Sequence, residues 1–188
     1  MTIKIGILRA DDVSLELAPD FGEYPQMVEE LIVAVNLARG ADAKRLQFTT
    51  YAVNRQQHPG HIHEVDAYII TGSKSSVYDQ EPWIADLHRF VEALHSNNKK
   101  TIGICFGHQI IASALGGKVE KAAVGWGVGV KATSLTKAAT DAGLKLDAGN
   151  RSLNLLYSHQ DQVTLPAPGS TLLASTDICP VAMTAIGE

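Results

Sequence analysis

The chain of 188 residues is long enough for one domain with a real hydrophobic core, and 45% of its residues are hydrophobic against 19% charged. Its net charge of -4 argues against a broad nucleic-acid surface, which requires clustered lysine and arginine. Two cysteines are too few for a disulfide framework, and no apolar run approaches the roughly 20 residues that span a bilayer. We therefore expect a single cytoplasmic domain, residues 1–188, without nucleic-acid or membrane partners.

Apolar, strand-like runs alternate with segments of helical periodicity as far as residue 115. In chain order the pattern predicts strand Ile3–Leu8, helix Met27–Arg39, strands Leu46–Val53 and Ala67–Thr71, helix Trp83–His95, strand Thr101–Ile104 and helix Phe106–Leu115. From Gly125 onward the sequence is rich in glycine and β-formers, which predicts an antiparallel excursion. The whole order predicts an α/β fold, with a mostly parallel central sheet and helices on both faces.

The most informative motif is the G-x-C-x-G sequence at residues 103–107, where a predicted strand runs directly into a predicted helix. This pattern is typical of a nucleophile elbow, because a nucleophile on a tight turn needs glycines where neighbouring backbone passes close by. Cys105 would also lie at a helix N-terminus, where partial positive charge favours the thiolate. The alternative is a buried structural cysteine, but such a residue has no need of flanking glycines. The motif therefore predicts that Cys105 is a catalytic nucleophile.

The seven residues Gly-Ile-Cys-Phe-Gly-His-Gln, at positions 103–109, resemble the nucleophile signature of the class I glutamine amidotransferases. The resemblance is to the stand-alone, GMP-synthase-like branch, and it continues through residues 11–13, 21–27, 72–79, 82–84, 125–129, 158–163, 165–169 and 174–175. It implies the flavodoxin-like fold of that family. It also implies hydrolysis of the glutamine side-chain amide through a γ-glutamyl thioester on Cys105, with release of ammonia.

The resemblance also implies the rest of the pocket. Acyl chemistry creates an oxyanion that needs N–H donors near the nucleophile, here expected from Phe106 and Ser73. The loop containing Ser73 reads Gly-Ser-Lys where the family usually has Gly-Gly-Pro, and the alternative is an ordinary turn at the end of a strand. Gln109 lies one helical turn past Cys105 and is expected to hold the substrate, the alternative being a solvent-exposed glutamine. The expected substrate-binding residues are Gly72, Gln109, Ser158, His159 and Asp161.

His159 resembles a catalytic base because Asp161 follows two residues later, but the family's Ser-His-x-Asp-x-Val segment lines the pocket wall instead. In the family the triad is completed by a His-x-Glu segment beyond a Cys-Pro pair, which here is Cys179-Pro180. No His-x-Glu follows His159, and Glu188 has no histidine ahead of it. We therefore expect a fragment or a degenerate protein, nearly inactive as written because it lacks the general acid and base. A missing last strand would also leave a sheet edge that favours aggregation or dimerisation.

Four functions remain open. The first is a glutaminase that supplies ammonia to a separate synthetase, and the second is a γ-glutamyl peptidase that uses the same thioester. The third is a non-catalytic binding or regulatory relative, and a redox role for Cys105 on a related fold is a weaker fourth. No cofactor is expected, and the cluster His58, His61 and His63 is interpreted as a solvated loop and not as a metal site.

Overall fold

A computed structural model of the chain describes residues 2–144, 146 and 150–187, so Glu188 lies outside the described residues. The chain forms two compact units, residues 1–111 and residues 112–188, and each is described by itself. The interpretation of residues 1–188 as one domain stays a prediction. In the part of the chain that is described, none of the helices combines the length and the apolarity that crossing a membrane requires.

The first unit is a parallel α/β arrangement. Its elements are β1 (Thr2–Leu8), α1 (Ala18–Phe21), α2 (Tyr24–Leu37), β2 (Arg45–Tyr51), β3 (Ala67–Ile70), α3 (Pro82–Ser96), β4 (Lys100–Gly103) and α4 (Phe106–Ala114), whose last residues belong to the second unit. Short 3-10 turns occupy Gly40–Asp42 and Val53–Arg55. The four strands form one sheet in the order β2-β1-β3-β4, and every neighbouring pair is parallel. The predicted strands and helices of this region are confirmed, whereas α1 and the two 3-10 turns were not predicted.

Successive side chains of the strands face opposite helices. Ile7 and Ile69 belong to a buried cluster that includes Val28 of α2. Tyr68 precedes Ile69 and therefore points to the other face of the sheet. There its ring meets Phe90 of α3 edge-on, with the ring centroids 5.5 Å apart. Helices α2 and α3 consequently cover opposite faces, as the α/β prediction required.

The order of the sheet reverses between β1 and β3. From β1 the chain proceeds outward to β2 on one side, whereas from β3 it proceeds outward to β4 on the other side. The register places Leu8, Ile70 and Gly103 side by side at the carboxyl ends of three adjacent strands. In open α/β sheets, ligands bind outside the carboxyl ends of the strands at such a reversal. The loops that follow these three residues are therefore where a site is expected.

The second unit is largely antiparallel, which confirms the predicted excursion after Gly125. Its elements are β5 (Lys118–Lys121), β6 (Gly127–Leu135), α5 (Lys137–Asp141), β7 (Ser152–His159), β8 (Asp161–Leu165), β9 (Ser170–Ser175) and β10 (Met183–Ile186). Strands β10-β9-β6-β7 form one sheet, and β5 pairs with β8. The unpredicted helix α5 is capped by Thr136, whose Oγ1 accepts the Ala139 N–H at 3.2 Å.

Candidate active site

Cys105 lies at the turn between β4, which ends at Gly103, and α4, which begins at Phe106. Its backbone φ is +53°, in the left-handed region that residues other than glycine seldom adopt. The residue is exposed to solvent. Its carbonyl oxygen accepts the N–H of Gln109 at 3.0 Å, so the first turn of the helix fixes the backbone after it. The fold thus holds an exposed thiol in a backbone conformation that costs free energy, a combination that is concentrated at functional sites.

The two glycines of the motif occupy positions where a side chain has no room. A Cβ on Gly103 would lie 2.3 Å from the carbonyl carbon and oxygen of Gly107. A Cβ on Gly107 would lie 2.4 Å from the carbonyl oxygen of Ile70 in β3. Real Cβ atoms do not approach backbone atoms so closely, and the backbone cannot rotate away as a flexible side chain can. The tight turn that presents Cys105 therefore requires glycine at both positions.

The loop after β3 approaches the cysteine directly. A Cβ placed on Gly72 would lie 3.7 Å from the Cβ of Cys105, which is ordinary van der Waals contact. The next residue, Ser73, is half-buried, and its Oγ accepts the backbone N–H of Ser75 at 3.1 Å. This local hydrogen bond curls the loop into a Ser turn. The loop that sequence analysis selected is therefore adjacent to Cys105 in the structure.

Helix α4 brings two further predicted residues to the same junction. Phe106 is fully buried, and its ring packs on Trp83 of α3 with the centroids 5.5 Å apart. Phe106 is the first residue of the helix, and the first N–H groups of a helix have no carbonyl partner within it. The helix itself therefore does not use the Phe106 N–H. Gln109 is 5% exposed, so the alternative of a solvent-exposed helix glutamine is wrong.

Three residues near the cysteine were not assigned a role by sequence analysis. Asp11, which follows β1, accepts the backbone N–H of Lys74 at 2.9 Å and lies 3.2 Å from the Lys74 Nζ. The pKa of Tyr24 is raised above its ordinary value, first by burial and then by the negative charges of Asp11, Cys105 and Glu23. The positive charge of Lys74 opposes this rise but does not cancel it. Tyr24 therefore lies within electrostatic range of the thiol. The place of Asp11 just after the first predicted strand is the signal that would have indicated it.

Ser158, His159 and Asp161 belong to the second unit. Ser158 and His159 end β7, and Asp161 begins β8. The His159 Nδ1 lies 2.9 Å from the carbonyl oxygen of Asp161, and its ring centroid lies 5.2 Å from that of Tyr157. The tight connection between the two strands thus fixes the imidazole. The role of these three residues in a substrate pocket stays a prediction.

Away from the Cys105 turn, the loop histidine His61 and the second cysteine make local hydrogen bonds. Among the described residues, no group of three or more His, Cys, Asp or Glu side chains is placed to hold a metal ion. The loop residue His61 accepts the backbone N–H of His63 at its Nδ1, 3.2 Å away. Cys179 is buried, and its N–H donates to the Oγ1 of Thr176 at 2.8 Å. This burial agrees with a structural role for Cys179.

Comparison with known proteins identifies the family. The profile described as Glutamine amidotransferase class-I matches residues 20–186. A glutamine amidotransferase-like protein of Schizosaccharomyces pombe is 33% identical over 95% of this chain and 72% of its own length. Gamma-glutamyl peptidase 3 of Arabidopsis thaliana is 35% identical over 68% of this chain and 52% of its own length. A glutamine-hydrolyzing GMP synthase of Pyrobaculum aerophilum is 38% identical over 61% of this chain, which spans 20% of the synthase.

A solved structure agrees on the fold. The glutamine amidotransferase of Thermotoga maritima superimposes with a TM-score of 0.74, over 98% of this chain and 72% of that protein, at 16% sequence identity. At that identity the likeness concerns the fold alone, and it supports the predicted flavodoxin-like arrangement. The family profile and the S. pombe relative carry the assignment further: the chain belongs to the class I glutamine amidotransferase family.

Proposed function

We propose that this domain is a glutaminase, which hydrolyses the side-chain amide of glutamine with Cys105 as its nucleophile. The observation that carries the proposal is the exposed thiol on a turn with a φ of +53°, between a parallel strand and the N-terminus of a helix. A helix N-terminus favours a thiolate, and the thiolate is the nucleophilic form of cysteine. Membership of the amidotransferase family supports the same chemistry.

The proposed reaction has two halves. In the first, the Cys105 sulfur attacks the amide carbon, and the oxyanion that forms accepts hydrogen bonds from the N–H groups of Phe106 and Ser73. The intermediate collapses, the C–N bond breaks, and the nitrogen leaves as ammonia after it accepts the proton that the thiol gave up. In the second half, water attacks the γ-glutamyl thioester, which releases glutamate and returns the thiol.

Substrate binding is proposed for five residues. Gly72 and Gln109 adjoin the nucleophile, and the Gln109 amide, although buried, carries donors and acceptors suited to an amino-acid backbone. For Ser158, His159 and Asp161, the family resemblance is what supports the proposal of substrate binding. The ammonia would pass to a separate synthetase chain. The cytoplasmic location expected from the sequence stays a prediction.

Turnover by these 188 residues is proposed to be slow. The resemblance assigns proton transfer to a His-x-Glu segment, and no such segment follows His159 in the sequence. Loss of a general acid or base reduces the rate by about 10²- to 10⁴-fold. The chain spans 72% of the length of the S. pombe relative and 52% of the length of the peptidase. Full glutaminase activity is therefore proposed for a whole protein of the length of these relatives.

A second candidate is a γ-glutamyl peptidase. The similarity to an Arabidopsis gamma-glutamyl peptidase favours it. The acyl half of the chemistry is the same, and only the leaving group changes, from ammonia to the amine of an amino acid or peptide. The two functions therefore differ in the space beside the scissile bond and not in the nucleophile.

The first test is covalent labelling by a glutamine-like chloroketone, followed by intact-mass measurement. We expect one adduct on the wild-type protein and none on Cys105→Ala, because the reagent is held beside the nucleophile. Cys179→Ala is the matched control and should keep the adduct, since Cys179 is buried. Equal labelling of Cys105→Ala and the wild type would contradict the nucleophile assignment.

A single-turnover measurement separates the two candidate functions. The protein is mixed in excess with glutamine or with a γ-glutamyl dipeptide, and the released ammonia or amino acid is quantified. Faster release of ammonia supports the glutaminase, whereas faster release of the amino acid supports the peptidase. Labelling without either release would indicate the non-catalytic relative.

A further inference from the structure

The carboxylate of Asp11 connects two loops at the reversal point of the sheet. Asp11 is 8% exposed, yet its charge is well satisfied. Its Oδ2 accepts the backbone N–H of Lys74 at 2.9 Å, and its Oδ1 lies 3.2 Å from the Lys74 Nζ. Its Oδ1 also accepts the N–H of Asp12 at 2.9 Å. Hydrogen bonds to a carboxylate are stronger than neutral ones, so this contact is a firm link between residues 63 positions apart.

A second contact ties the beginning of the same loop to the end of β1. The Oγ1 of Thr71 accepts the N–H of Ala10 at 3.0 Å and donates to the carbonyl oxygen of Gly72 at 3.1 Å. Thr71 is 1% exposed, so water does not compete for these bonds. The backbone from residue 71 to residue 74 is therefore held at both ends by the segment that follows β1.

The held loop is the one that lies beside the nucleophile. A Cβ placed on Gly72 would lie 3.7 Å from the Cys105 Cβ, and Ser73, the proposed oxyanion donor, lies between the two anchored residues Thr71 and Lys74. A donor aids catalysis only when it points at the position the oxyanion will occupy. The Ser73 N–H lies in the peptide plane between Gly72 and Ser73. The next plane, between Ser73 and Lys74, carries the Lys74 N–H that Asp11 accepts, so Asp11 limits the rotation of Ser73 from that side.

We propose that Asp11 is a positioning residue, whose carboxylate holds the loop Gly72–Lys74 so that the Ser73 N–H faces the oxyanion formed at Cys105. This inference rests on the proposed function, because the oxyanion exists only if Cys105 attacks a carbonyl. Asp11 itself does not touch the substrate. Its contribution is geometric, and a displacement of about 1 Å at such a donor reduces the rate by about 10²-fold.

The test uses the variant Asp11→Asn, which keeps the size of the side chain. One carboxylate oxygen, which accepts hydrogen bonds, is replaced by an NH₂ group, which only donates them. That NH₂ group then faces a backbone N–H or the Lys74 ammonium, and the hydrogen bond at that position is lost. The readout compares two probes. Glutamate γ-semialdehyde adds to the thiol and places its oxygen in the oxyanion position, whereas iodoacetamide alkylates the thiol by displacement and needs no oxyanion donor.

In Asp11→Asn we expect the affinity for the semialdehyde to fall by about 10- to 100-fold, while the iodoacetamide rate at Cys105 changes less than about twofold. Asp12→Asn is the matched control, because Asp12 binds Arg9 and Arg55 and not the loop, and it should bind the semialdehyde like the wild type. Unchanged semialdehyde affinity in Asp11→Asn overturns the proposal. An equal fall with both probes also overturns it, since that is the signature of general unfolding.

Lys74→Ala is the second variant, and it keeps the test decisive if Asp11→Asn does not fold. It removes the ammonium but keeps the backbone N–H that Asp11 holds, so the semialdehyde affinity should fall by less than about threefold. A tenfold fall would assign the effect to the lysine charge and overturn the proposal. If the wild type shows no Cys105-dependent binding of the semialdehyde, the proposed function itself fails, which differs from a failure of Asp11 alone.

Discussion

At Cys105 a residue with a side chain occupies a backbone conformation in which glycine is more stable. The cost of such a conformation is about 1–2 kcal/mol, and it persists because neighbouring strands and the helix determine the turn. The exposed thiol explains why glycine does not stand there, since the turn presents that one side chain above the sheet. The strain therefore belongs to the position that the proposed chemistry uses.

Gly103→Ala tests how tightly the turn is packed. The added methyl would lie 2.3 Å from the carbonyl of Gly107, so the backbone must shift, and we expect the free energy of unfolding to fall by about 1–3 kcal/mol or more. Chloroketone labelling of Cys105 should fall with it, because the turn moves. The measurement is urea unfolding, with labelling performed at low urea.

Gly72→Ala is the control for this substitution. Its added methyl would lie 3.7 Å from the Cys105 Cβ, which needs no backbone shift. We expect its free energy of unfolding to stay within about 0.5 kcal/mol of the wild type. A Gly103→Ala protein as stable as Gly72→Ala would show that the turn yields easily and would contradict the packing argument.

Among the elements, an ion-pair network joins the end of β1 to the 3-10 turn after β2. Asp12 lies 3.1 Å from a guanidinium nitrogen of Arg9 and 2.8 Å from one of Arg55. Burial alone would raise the pKa of Asp12, because it disfavours the charged carboxylate. The hydrogen bond from Arg55 and the positive charges of Arg9 and Arg55 outweigh burial. They lower the pKa of Asp12 below its ordinary value of 3.8. The network therefore stabilises the charged carboxylate in the folded chain.

The sign of the pH dependence follows from this lowered pKa. The folded chain binds the Asp12 proton less readily than the unfolded chain, so the stabilisation is present above about pH 4 and is lost as the pH falls through the folded value. Asp12→Asn should lower the free energy of unfolding by up to about 1 kcal/mol at pH 7, since partly exposed pairs contribute little. Urea unfolding at pH 7 and pH 3 measures the difference, which should shrink at pH 3.

Asp20→Asn is the control, because Asp20 is an exposed carboxylate of α1. It should change the free energy of unfolding by less than about 0.5 kcal/mol at either pH. If the deficit of Asp12→Asn were as large at pH 3 as at pH 7, the charge of Asp12 would not be its source.

Local patterns predicted the strands and the longer helices of the first unit and missed the short helices. Strands with continuous apolar residues, such as Ala67–Ile70, and helices of three or more turns, such as Pro82–Ser96, carry enough residues for a periodic signal. Helices α1 and α5 have four and five residues, too few to show one. The motif likewise predicted the junction at Cys105. The contact of Asp11 with Lys74 depends on which strands are neighbours, and no local pattern specifies that.

At the scale of the whole molecule, the parallel sheet ends in an apolar edge. Within the described residues, β4 pairs with β3 alone, and it lies at the end of the sheet order. Ile102 in this strand is 57% exposed, and Ile104 just after it is 41% exposed. An exposed strand edge with apolar side chains is a template for pairing with another chain. The dimerisation expected from the sequence stays a prediction, and we expect β4 to carry it.

Ile102→Lys tests this assignment, because a lysine on an edge strand opposes strand pairing between chains. The molar mass of the 188-residue wild type, measured by light scattering, should rise above 20.1 kDa as concentration increases, whereas the variant should stay near that value. Val35→Lys is the matched control, since Val35 is 59% exposed but lies on helix α2 and not on a strand. It should associate like the wild type. Association that persists in Ile102→Lys, or that disappears in Val35→Lys, would place the contact between chains elsewhere than β4.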